Sequence, residues 1–137
     1  MMAAVGEWLS LLSLLASIIA GECGQVGQGC ELEVARTMAN RLQAPGFPAT
    51  LGDVASAYYG RGEPTRASLA AATALIVTPW DLADGQYMFT YGDIDCRDQG
   101  WRQGDLVLCR DGQCVHFARV WPGIPPSENA GMPVSIR

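Results

Sequence analysis

Leu9-Ser10-Leu11-Leu12-Ser13-Leu14-Leu15-Ala16-Ser17-Ile18-Ile19-Ala20-Gly21-Glu22-Cys23-Gly24 is the stretch on which the reading of this chain turns. With Trp8 in front of it, the positions Trp8, Leu11, Leu12, Leu15, Ile18 and Ile19 fall at i, i+3, i+4 and i+7 steps. That spacing lays one apolar stripe along a helix from about Glu7 to Glu22. Gly24, Gly27 and Gly29 follow and stop it. Ser10, Ser13 and Ser17 interrupt the run, so no stretch reaches the roughly 18 to 20 apolar residues of a transmembrane segment. A secretory signal needs a basic leading region, and the residues before Leu9 carry Glu7 with no Lys or Arg. The expectation is a folded helix.

Downstream of this stretch, the chain stays helical for about half its length. Val34, Ala35, Met38, Ala39 and Leu42 form the stripe of a second helix from about Glu31 to Leu42, with Glu31 and Glu33 at its start and Arg41 near its end, as the macrodipole favours. Pro45-Gly46-Phe47-Pro48 is a rigid turn. Thr50 and Asp53 resemble a capping box opening a short helix through Tyr59. Pro64 opens another, with Leu69, Ala72 and Ile76 on one face. From Tyr87 the period changes to two, and Tyr87, Phe89 and Tyr91 predict a strand. A hairpin follows, Leu106 to Cys109 and Cys114 to Val120. Asp111-Gly112 makes its two-residue turn, because both central positions need positive φ. That turn sets Arg110 opposite Gln113, Cys109 opposite Cys114 and His116 opposite Val107. Helices first and strands second predict an α+β domain, a single one over residues 1–137, with 122–137 as a loop tail.

Composition narrows the partners. The chain has 137 residues, 49% of them apolar and 17% charged, with a net charge of -5. Scattered basic residues do not make the Lys/Arg surface that nucleic acid needs, so none is expected. The five cysteines, Cys23, Cys30, Cys96, Cys109 and Cys114, point to an oxidising destination. The hairpin register puts Cys109 and Cys114 within disulfide range. Cys23 and Cys30 make the second candidate pair, which leaves Cys96. With one histidine and no Cys-x-x-Cys pair, no metal site and no cofactor are expected.

Glu22 lies on the apolar stripe of its own helix, three past Ile19, four past Ile18 and seven past Leu15. It also sits in the last turn, where the dipole is negative. Burial and dipole together disfavour the carboxylate and favour the acid. A carboxyl group protonated near neutral pH suits protonation of a glycosidic leaving oxygen. The competing reading is a helix end that happens to fall in phase.

Several segments, read together, resemble a known family. Gly21-Glu22-Cys23-Gly24, then Val34-Ala35-Arg36-Thr37-Met38-Ala39-Asn40-Arg41-Leu42, then Pro45-Gly46-Phe47-Pro48-Ala49-Thr50 and Asp53-Val54 are similar to cell-wall hydrolases related to the spore cortex-lytic SleB enzymes. Tyr87-Met88-Phe89 and His116-Phe117 resemble that family's closing strands, so the likeness runs from about Leu9 to Phe117. It implies a lysozyme-like fold, cleavage of peptidoglycan glycan strands by a lytic transglycosylase, and Glu22 as the catalytic acid. It also implies an extracellular, cell-wall or periplasmic place of action, or a role in phage lysis. The chain departs from the family where an acidic Glu-Ala-x-Gly-Glu string and a Gln-Phe-Ser segment are expected. Only Glu22 is present at the first, and Tyr58-Tyr59-Gly60 stands near the second.

Carboxylate counting separates two mechanisms. A two-carboxylate hydrolase needs a second acid, for which Asp53, Glu63, Asp93 and Asp95 are candidates by type alone. A lytic transglycosylase needs one, because the substrate's own C6 hydroxyl attacks and the single acid then acts as base. Tyr58, Tyr59 and His116 are the tentative substrate contacts: aromatic faces suit sugar rings, and an imidazole can donate to sugar or peptide. Trp80 and Trp101 are packing or groove residues. Two other functions compete. One is a Cys23–His116 amidase or peptidase, disfavoured because Cys23 follows a helix C-terminus, where the field opposes a thiolate. The other is a non-catalytic wall-binding or structural protein that keeps the fold.

Overall fold

The computed structural model describes residues 2–123, with nothing to be said of the side chains of 2–5; the expected loop tail lies largely outside the described residues. The elements are α1 (Met2–Cys23), α2 (Cys30–Gln43), α3 (Leu51–Ala55), α4 (Arg66–Val77), α5 (Pro79–Leu82), β1 (Phe89–Gly92), α6 (Asp93–Gln99), β2 (Leu106–Arg110) and β3 (Gln113–Ala118). Helices thus dominate, and a small antiparallel sheet of order β1-β3-β2 closes the chain. The α+β expectation stands at that level.

The second half of α1 makes the core. Leu15, Ala16, Ile18 and Ile19 are fully buried, against α2 and α4. The first half does not: Trp8 and Leu9 are exposed, and Leu11 and Leu12 are half-buried. The expected stripe is therefore buried only where other helices reach it. As one continuous helix, Gly6–Cys23 is long and apolar enough to cross a membrane by length and composition, contrary to the expectation from the raw run of residues. The disulfides Cys23–Cys30 and Cys109–Cys114 are both formed, and Cys96 is free. These bridges and the apolar N-terminal helix are compatible with a secreted protein.

On α4 the buried face is Ser68, Ala71, Ala72 and Leu75, while Leu69 is exposed. Of the expected face, Ala72 is buried and Leu69 is not, and the neighbouring Ala71 turns inward beside Ala72. Small side chains let α4 approach α1 and α2 closely. Its start is fixed by Thr65, whose hydroxyl accepts from Ser68 N, while Thr65 N donates to Ser68 Oγ. Pro64 therefore precedes the cap. Thr50 caps α3 through Asp53 N, as expected, but that helix ends at Ala55 rather than Tyr59. The helices α5 and α6 were not foreseen.

Asn40 and Arg41 tie α2 to the sheet. Asn40 Oδ1 accepts from the backbone N–H groups of Asp84 and Gly85, both at 2.8 Å, and its amide donates to Tyr87 O at 2.9 Å. Arg41 is buried and donates through Nε to Met88 O at 2.6 Å. Its guanidinium lies about 5 Å from the ring centres of Phe47, Tyr58 and Phe89. An aromatic cage of this kind stabilises a buried cation whose hydration has been lost. Asn40 and Arg41 thus do structural work: they pin the approach to β1 and the Pro-Gly-Phe-Pro turn.

The hairpin has the expected register, with Arg110 opposite Gln113, Cys109 opposite Cys114 and Val107 opposite His116. Asp111 and Gly112 both have positive φ, 52° and 81°, as the two-residue turn requires. On its other edge β3 pairs with β1, which sets Tyr91 opposite His116. The predicted strand at Tyr87 begins two residues later, at Phe89.

Candidate active site

Glu22 stands half-buried in the last turn of α1, one residue before the Cys23–Cys30 bridge. The segment after α3 crosses this turn at very close range. Gly62 N donates to Ser17 O at 2.9 Å, and Gly60 N donates to Glu22 Oε2 at 3.0 Å. Glycine is required on both sides of this crossing. A Cβ on Gly21 would fall on the backbone of Gly60 and Arg61. A Cβ on Gly60 would lie 2.5 Å from Glu22 Oε2 and 2.9 Å from the Glu22 backbone nitrogen.

Glu22 opens onto a cleft of about 530 Å³. Tyr59 joins it there from the crossing segment, Tyr91, Asp93 and Asp95 come from β1 and the start of α6, and Cys114 comes from the hairpin. Tyr59 is 73% exposed and lines the cleft. Tyr58 is not: its ring is buried under Arg41, away from the cleft lining. Of the two tyrosines expected to contact substrate, the structure brings only Tyr59 to Glu22. Trp101 is buried in a second, aromatic cluster with Phe47, Phe89 and Tyr91, and Trp80 is exposed away from the cleft lining.

His116 is 1% exposed and cannot touch a ligand in the cleft, contrary to its expected place as a groove-wall donor. Its Nδ1 accepts from Gly104 N at 3.1 Å, so the neutral ring carries its proton on Nε2. That nitrogen lies 2.7 Å from Asp93 Oδ1. The ring is stacked on Tyr91, with centroids 5.2 Å apart and planes 10° from parallel. A Cβ on Gly104 would sit 2.7 Å from Phe117 N and 2.9 Å from His116 Cβ. Burial first, then the nearby Cys96, holds the Tyr91 phenol above its usual range.

Four acids were candidates for a second carboxylate. Asp53 and Glu63 do not line the cleft, while Asp93 and Asp95 do. Cys23 is buried and bonded to Cys30. Cys96 lies 3.9 Å from His116 Nε2, but burial first, and then Asp93 and Asp95, push its thiol up from the usual value. Among the described residues no group of His, Cys, Asp and Glu is arranged to hold a metal ion.

No protein-family model matches this chain, and comparison with curated proteins and with solved structures found no match.

Proposed function

We propose that the protein cleaves the glycan strands of peptidoglycan as a lytic transglycosylase on a lysozyme-like scaffold, with Glu22 as its single general acid and base. The observation that carries this reading is the placement of Glu22: half-buried, at a helix end, on a cleft large enough for sugar rings, beside the exposed ring of Tyr59. Glu22 gives its proton to the leaving oxygen. The substrate's C6 hydroxyl then attacks the anomeric carbon and returns a proton to Glu22. Tyr59 offers a flat apolar face with a polar end, the surface that a sugar ring stacks on. Segment likeness to the cortex-lytic enzymes supports the same substrate, and the disulfides suit work in the cell wall, the periplasm or outside the cell.

Mass spectrometry of a peptidoglycan digest tests the proposal. Anhydro-ended fragments are the expected product. Reducing ends would replace transglycosylation by hydrolysis, and an intact substrate would favour a wall-binding role. Glu22→Gln keeps the shape of the side chain but cannot donate a proton as an acid. It should lower cleavage by at least about a thousandfold, since it removes both acid and base action.

A further inference from the structure

We propose that Asp93 is a second working carboxylate of this cleft, and that His116 is the positioning residue that aims it. The inference rests on the glycan-cleavage reading above and adds to it the group that meets positive charge on the sugar.

Asp93 and Asp95 both reach the cleft, but they are held differently. Asp95 Oδ2 accepts from Gly92 N at 3.3 Å and its Oδ1 from Gln99 Nε2 at 2.8 Å, so both oxygens serve α6 itself. Asp93 is tied to the interior. Its side chain is half exposed, and its Oδ1 accepts a hydrogen bond from Nε2 of a histidine that is almost completely buried. That histidine is fixed on three sides. Gly104 N–H occupies Nδ1, Tyr91 stacks on the ring, and Cys96 Sγ lies 3.9 Å from Nε2. A solvated surface aspartate needs no such support. A carboxylate that must hold one orientation against a reacting sugar does, because preorganised charge acts without reorganising during the reaction.

The chemistry balances with Glu22 as the only proton carrier. Its proton passes to the glycosidic oxygen, the C1–O bond breaks, and the bonding pair stays with that oxygen. Positive charge develops on C1 and the ring oxygen, and the Asp93 carboxylate stabilises it without forming a bond. The C6 hydroxyl oxygen then bonds to C1, and its proton restores Glu22. Asp93 begins and ends the cycle as a carboxylate.

The test uses the full chain with its disulfides intact, on purified peptidoglycan, with the melting temperature of each variant recorded. Asp93→Asn should lower kcat by about a hundredfold and leave KM within about twofold, the scale for loss of one preorganised electrostatic group. Asp93→Ala should regain at least about tenfold of its lost activity when formate supplies a small carboxylate in the vacated space. His116→Gln, whose amide can donate to Asp93 but whose oxygen does not stand at the Nδ1 position that faces Gly104, should lower kcat and spare KM. An Asp93→Asn variant that cleaves at the parental rate overturns the inference alone. So does a folded Asp93→Ala variant that is inactive and unmoved by formate. A parent protein that cleaves nothing overturns the glycan-cleavage reading, and this inference with it.

Discussion

The cleft is built from two regions that the chain secures in opposite ways. At Glu22 the backbone does the work: a helix end and a crossing segment meet through Gly21, Gly60 and Gly62, and the carboxylate takes a main-chain N–H. At Asp93 a side chain does it: one oxygen meets a buried imidazole, which is itself held by a stacked tyrosine and a main-chain N–H. The first arrangement meets Glu22 with a main-chain N–H at 3.0 Å. The second holds a charge still. An acid that must give and recover a proton suits the first, and a fixed electrostatic partner suits the second.

One glycine from each region breaks this comparison most directly. Gly104→Ala should be the more damaging substitution. Its Cβ would meet the backbone N and O of Phe117 at 2.7 and 2.8 Å, and a paired strand gives way little. A loss of roughly 3 kcal/mol is expected, the scale of overpacking at its upper end. Chemical denaturation would measure it. Gly60→Ala should cost less, roughly 1–2 kcal/mol, because one of its two close contacts is a side-chain end that can swing away. That swing moves Glu22, so activity should fall far more than stability. If Gly60→Ala keeps full cleavage while it destabilises the fold, the geometry around Glu22 is not what the chemistry needs.

The two bridges extend the contrast. Cys23–Cys30 closes a seven-residue separation directly after Glu22, and Cys109–Cys114 closes one of five across a turn already shaped by Asp111 and Gly112. Short loops of this size are each worth about 2 kcal/mol in the chain-entropy view. Replacing both cysteines of either pair by serine should therefore lower stability by similar amounts. The Cys23–Cys30 change should reduce cleavage the more relative to its effect on folding, because it frees the turn that presents Glu22, whereas the other pair contributes only Cys114 to the cleft wall. Parallel melting and turbidity assays on the two double variants would separate these effects.

Legibility in the sequence follows the same division. Glu22 was readable because a helix has one period, and counting from Leu15, Ile18 and Ile19 places the acid on the inner stripe. The hairpin was readable because Asp111-Gly112 admits one register, and that register gave the Cys109–Cys114 bridge. The Asp93 side was not. Val107 was placed opposite His116 by the turn, but the partner on the other edge of β3 comes from Phe89–Gly92, with no short turn linking the two. Without that pairing, Tyr91 could not be set against His116, nor Asp93 beyond it. Gly104 carried a weak signal, a lone glycine before a strand, whose role appears only when Phe117 is packed behind it. Tyr58 and Tyr59 are adjacent and identical in type. Only the end of α3 at Ala55 sends one into the Arg41 cage and the other to the cleft. On α4 the spacing found Ala72 correctly and misplaced only Leu69, because the buried face runs through Ser68, Ala71, Ala72 and Leu75.

The smallest predicted effect comes from a third acid, which serves as a control on the other two. Glu33 lies in the first turn of α2, outside the cleft lining, with Arg36 Nε 3.9 Å from its Oε2. Burial raises its pKa from the ordinary 4.5; Arg36 opposes that rise and Asp84 adds to it. The folded state therefore binds this proton more tightly than the unfolded chain. Its contribution to stability is fully present below the unfolded pKa and is lost as pH rises through the folded one. A glutamine does not titrate there. Glu33→Gln should thus gain on the parent protein as pH climbs through that window and then hold a constant small advantage to neutral pH. The gain should stay within about 0.5 kcal/mol, as for most substitutions near a surface. Cleavage should not change, because Glu33 is not part of the cleft. Denaturation curves at pH 3.5 and at pH 7 on parent and variant, on the order of one unit below and well above the window, would read the difference. An advantage that shrinks with rising pH would show that the Arg36 pair, and not desolvation, governs this residue.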